Sequence, residues 1–154
     1  MKLQKNVNAL AMKIAKSMNE KFSLRQRPDG SIDCLVKSCQ LGDIGLCTEN
    51  QEITVYGFEC HQHFWSSTNE FDEIVAMEPQ IQSLILGLLN GTIIGYGIFR
   101  EDMTPLSGGF GCAKNGKYHV RRLYDSAAII TIRTLDVCEI TLSAKDVIVE
   151  GAGQ

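Results

Sequence analysis

From Thr92 onward the chain is a succession of short β-branched and aromatic stretches. Thr92–Phe99, Tyr118–Leu123, Ala127–Thr134 and Val137–Leu142 each read as a strand, with Asp146–Glu150 as a short edge strand. Only a turn-rich connection over 102–117 interrupts them, carrying Pro105, Gly108, Gly109, Gly111 and Gly116. Strands that follow one another in this way pair as antiparallel neighbours. With two helices available to cover one face, the pattern predicts an α+β fold rather than a wound parallel sheet. The expectation is a mainly antiparallel sheet of about five to seven strands packed by two helices.

The helices are legible from their periodicity. Val7, Leu10, Ala11, Ile14, Met18 and Phe22 recur at spacings of three and four, which predicts one amphipathic helix over roughly 5–22. Lys5, Lys13, Lys16 and Lys21 fall off that stripe. A second helical region carries Phe71, Ile74 and Val75 before Pro79, and Ile81, Leu84, Ile85, Leu88 and Leu89 after it. Pro79 lacks an N–H, so it either opens the main helix at its first turn or kinks a longer one. Asn90-Gly91 is a natural stop.

Between the helices, Arg27-Pro28-Asp29-Gly30 reads as a turn, Ser31–Val36 as a strand, and the stretch through Gly42 and Gly45 as a loop. Glu52–Phe64 reads as one strand, with Ile53, Val55, Gly57, Glu59, His61 and His63 on one parity. In Thr92–Phe99, Gly95 and Gly97 share a parity, leaving a bare strip for a close approach or a bulge.

At 154 residues the chain matches a single α+β domain spanning 1–154, large enough to fold without a metal or disulfide. No apolar run has the roughly 18 residues of a membrane helix, and Lys13 and Lys16 interrupt the place of a signal peptide's apolar region. The expected location is therefore the cytoplasm, where the six cysteines (34, 39, 47, 60, 112 and 138) remain reduced. Charge is uneven about a net −3. Residues 1–50 hold eight basic and five acidic groups (+3), 51–104 one and eight (−7), and 105–154 six and five (+1). An acidic middle third repels phosphate and suits a basic partner, which argues against nucleic acid there.

Chemistry concentrates in Phe58-Glu59-Cys60-His61-Gln62-His63-Phe64-Trp65, which holds two of the three histidines and the only tryptophan. On a strand, Glu59, His61 and His63 form a row suited to zinc or iron. Asp43, Cys47, Asp102, Cys112 and His119 are the candidates for completing it. Cys112 and His119 could also meet across a hairpin as a nucleophile and its base, whereas Cys60 and His61 point to opposite faces. Ser107-Gly108-Gly109-Phe110-Gly111 lacks the Gly-Lys-Ser/Thr ending of a phosphate loop and reads as a turn. Lys114, Lys117, Arg121 and Arg122 cluster near Tyr118 with few aromatics interleaved, as on a solvated hairpin.

Ile53-Thr54-Val55, Gly57-Phe58 and His61-Gln62-His63-Phe64, followed by the acids Glu70, Asp72, Glu73 and Glu78 and a helix ending at Asn90-Gly91, carry a resemblance. The segment 52–91 resembles bacterial immunity proteins of polymorphic toxin and contact-dependent inhibition systems. The likeness ends after Phe99, where a tryptophan-containing strand would be expected. It implies a cytoplasmic protein without catalytic residues or cofactor, which neutralises a toxin domain by binding it. Trp65, Glu70, Asp72, Glu73 and Glu78 would then meet a basic toxin domain, with the aromatic as anchor and the acids as electrostatic guides. Two competing readings are a small metal-dependent hydrolase using Glu59, His61 and His63, and a non-catalytic adaptor.

Overall fold

A computed structural model of the chain describes residues 2–66, 71–136 and 139–150. Helix α1 (Lys2–Met18) buries Val7, Leu10, Ala11 and Ile14 of the expected stripe, each at or below 5% exposure, while Met18 at its end is half-buried and Phe22 lies beyond it. Five strands follow: β1 (Ser23–Gln26), β2 (Ile32–Lys37), β3 (Ile44–Glu49), β4 (Glu52–Gly57) and β5 (Cys60–Phe64). They pair antiparallel in chain order as a first sheet. The short helix α2 (Phe71–Val75) and the longer α3 (Glu78–Asn90) come next. Pro79 lies in the first turn of α3, and Gly91 closes it at φ 82, the left-handed conformation that favours glycine. Ile81, Leu84, Ile85 and Leu88 join α1 and the inward residues of β2 to β5 in one core.

The second sheet is built from β6 (Ile93–Phe99), β7 (Pro105–Lys114), β8 (Lys117–Val120), β9 (Ile129–Arg133), β10 (Glu139–Ser143) and β11 (Ile148–Val149). Its order is β10-β9-β6-β7-β8-β11, antiparallel except for the parallel pairing of β11 with β8. Ile94, Tyr96, Ile98, Val120, Ile130, Ile132 and Val147 form its own core. The fold is α+β with mainly antiparallel pairing, its strands divided between sheets of five and six. Among the described residues, no helix is long and apolar enough to cross a membrane.

Three local expectations change. Glu52–Phe64 is a hairpin, β4 and β5, turning at Phe58-Glu59 with both residues at positive φ (51 and 66). That is the backbone of a tight primed turn, usually supplied by Asn-Gly, and a phenylalanine there is strained. Burial offsets the strain, because Phe58 is 1% exposed and sits under Gly95 of β6. A Cβ on Gly95 would lie 3.0 Å from Phe58 Cβ and 3.2 Å from Cys60 Sγ, so the bare strip expected on β6 is where the first sheet's turn lands. The loop through Gly45 contains β3, and the connection over 102–117 contains β7, the neighbour of β6 and β8. Local propensity hides β7 because its glycines disfavour a strand. Tertiary approach explains Gly108, since a Cβ there would lie 2.9 Å from the carbonyl oxygen of Tyr96. The strand expected over 137–142 is described from Glu139 onward, and positions 137 and 138 lie outside the described residues.

Candidate functional site

Strand alternation in β5 sends Cys60 and Phe64 inward, each 8% exposed, and leaves His61 and His63 exposed on the other face. Their rings stand edge-to-face with centroids 5.0 Å apart. His63 Nδ1 lies 2.9 Å from Thr54 Oγ1 and 3.2 Å from Glu52 Oε2. Glu59 occupies the turn and places Oε2 3.3 Å from Arg133 Nη1. The structure thus brings His61 and His63 together, with Glu52 as the carboxylate at His63, while Glu59 and His61 line one cleft with Arg133.

Trp65 follows β5 directly and is 65% exposed. Asp72 and Glu73 are exposed in the first turn of α2, where carboxylates also favour the positive end of the helix dipole. Ser66 Oγ donates to Glu73 Oε2 at 3.2 Å, tying the end of the Trp65 segment to α2. Glu78 turns inward instead. Its carboxylate, with the side chain 16% exposed, pairs with Lys13 of α1 at 3.3 Å and accepts from Gln82 at 3.1 Å. Glu70 lies outside the described residues.

A third constellation sits on the second sheet. Cys112 of β7 and His119 of β8 are directly opposite in the ladder, so the hairpin turned at Asn115-Gly116 brings thiol and imidazole to one place. The parallel pairing of β11 with β8 adds Glu150, whose N–H donates to the Val120 carbonyl at 2.8 Å. Glu150 Oε1 then lies 3.2 Å from His119 Nδ1 and 3.7 Å from Cys112 Sγ. The three ligand-type atoms fall within 4.8 Å of one another. They line a cleft of about 240 Å³ together with Gln62, Leu84, Phe110 and Arg121. Burial, followed by the charge and hydrogen bond of Glu150, pushes the Cys112 thiol up from its ordinary value. A thiol so held is protonated at neutral pH, the reverse of what a cysteine nucleophile requires.

The sequence pointed to Cys112 with His119 but missed Glu150. An edge strand ending at residue 150 was legible, yet not which strand it would join. Ser107–Gly111 lies within β7 and forms no phosphate cradle. Lys114, Lys117, Arg121 and Arg122 are exposed around the β7–β8 hairpin, and the Arg122 guanidinium stacks 5.0 Å from the centre of the Tyr124 ring.

These observations define a two-sheet α+β fold with an exposed tryptophan, a neighbouring serine bonded to an acidic helix turn, and a separate Cys-His-Glu cluster. Compared with known proteins, the chain matches no family model, no curated protein and no solved structure.

Proposed function

We propose that the chain is a binding protein that docks a basic protein domain on the surface formed by Trp65 and the first turn of α2, in the manner of an immunity protein with its toxin. The exposure of Trp65 carries this reading. At 65% it is the most exposed large apolar side chain among the described residues, and the next residue, Ser66, bonds Glu73 in the first turn of α2, where Asp72 is also exposed. A tryptophan in water forgoes a burial worth about 2–3 kcal/mol, and rigid aromatics are what interfaces use as anchors. The −7 balance over residues 51–104 supplies the field that would steer a cationic partner.

The test is native mass spectrometry of the tagged protein recovered from extracts of its own cells, followed by association kinetics with the protein it carries. The expected outcome is a one-to-one complex with a basic polypeptide. Trp65→Ala should abolish it, and the pair Asp72→Lys and Glu73→Lys should slow association about tenfold at low salt. A partner that binds both variants as fast and as tightly as the parent would overturn the proposal.

A further inference from the structure

We infer that Cys112, His119 and Glu150 form a binding site for a thiophilic divalent cation of the zinc class, with one coordination position left open to the adjoining cleft. The inference is independent of the Trp65 surface, because the cluster lies on the second sheet.

Geometry carries it first. Zinc bound tetrahedrally to sulfur, nitrogen and oxygen at about 2.0–2.3 Å separates its ligand atoms by about 3.3–3.8 Å. The 3.2 Å and 3.7 Å separations from Glu150 Oε1 lie close to that range, and the whole set falls within 4.8 Å. Cys112 and His119 come from adjacent strands fixed by their ladder pairing, and Glu150 directly follows β11, its backbone held by the bond to Val120. A site on hydrogen-bonded strands is preorganised in a way that a site on loops is not.

Charge and ligand type select the ion. Thiolate and imidazole together favour zinc over magnesium or calcium, which take oxygen ligands. On binding, the Cys112 thiol loses its proton to solvent. His119 coordinates through Nδ1 while its remaining proton resides on Nε2, and Glu150 enters as carboxylate. Two negative ligands neutralise the divalent ion, which suits a site where the His119 side chain is only 16% exposed. The open position faces a cleft lined by Gln62 and Arg121, so water or a small anion is the fitting fourth ligand.

The experiment is titration of chelator-treated protein with Co²⁺, followed by Zn²⁺. One equivalent of Co²⁺ should give a thiolate-to-cobalt charge-transfer band in the near ultraviolet and tetrahedral bands in the visible, both erased by Zn²⁺. Cys112→Ser should remove the charge-transfer band. Glu150→Gln, which keeps the side chain's size, should weaken binding by more than the about 10–100-fold that outer-shell changes cost. The double variant His61→Ala, His63→Ala should leave the bands intact. A readout needing no variant is thiol alkylation of the parent protein, in which Zn²⁺ should shield Cys112 while Cys39 and Cys47 react as before. Absence of the thiolate band, no shielding of Cys112, or cobalt uptake that depends on His61 and His63 would each overturn the inference.

Discussion

Arg133, at the end of β9, spans from the second sheet to the turn of the first, with Nη1 3.3 Å from Glu59 Oε2. The same Nη1 donates to the Phe58 carbonyl at 3.3 Å, and Nε donates to Glu139 Oε2 at 2.8 Å. One guanidinium therefore braces a strained turn, its neighbouring strand and the junction between the sheets. Lysine has no such fork.

The partners of Arg133 are unequal. Glu59 is 66% exposed, so its ion pair contributes little, and Glu59→Ala should lower stability by less than about 1 kcal/mol. Arg133→Ala also strips a partner from the carbonyl of buried Phe58 and should cost about 1–3 kcal/mol. Denaturant unfolding of the two variants checks the ordering, and equal losses would refute the bracing role.

Alkaline pH should weaken the fold. Burial, with a 2.6 Å hydrogen bond to Asp33, raises the Tyr56 hydroxyl above its ordinary value, and burial pushes the Cys34 thiol up to about 11. For both groups the folded state keeps a proton that the unfolded chain releases, so folding binds more protons and stability declines as pH rises. The decline should begin near pH 9 with Cys34 and continue from about pH 10 with Tyr56. Tyr56→Phe should start about 1 kcal/mol less stable at neutral pH, for want of its hydrogen bond, and decline less steeply above about pH 10. Urea midpoints across this range supply the measurement.

Gly111 should tolerate no side chain. A Cβ there would overlap the carbonyl oxygen of His119 across the β7–β8 ladder and press on Tyr96 Cδ1 at 3.2 Å. Gly111→Ala should cost about 1–3 kcal/mol or more, as overpacking does. It should also weaken any Co²⁺ binding at Cys112 and His119 by spreading the two strands. Thermal unfolding and the cobalt titration read the two effects separately.

Trp65→Ala should leave folding stability within about 0.5 kcal/mol of the parent, since the ring is mostly in water already. As the only tryptophan, it also reports on its own surroundings. Its emission should be that of a solvated indole in the free protein and should shift to the blue when a partner covers it.

What the sequence determined by itself was whatever depends on near neighbours. The apolar stripe of α1, the stop of α3 at Asn90-Gly91 and the outward pair His61 and His63 all follow from periods and turn chemistry within a few residues, whereas Pro79 left open whether it starts a helix or kinks one. Tertiary structure decided the rest. Phe58-Glu59 turns tightly only because Gly95 and Arg133 receive it from another sheet, and Gly108 and Gly111 sit in a strand because β6 and β8 lie close on either side of it. Glu150 reaches Cys112 and His119 through a parallel pairing between segments far apart in the chain. The free energy of such a pairing resides in which backbones meet and in what register, and no local pattern of side chains records it.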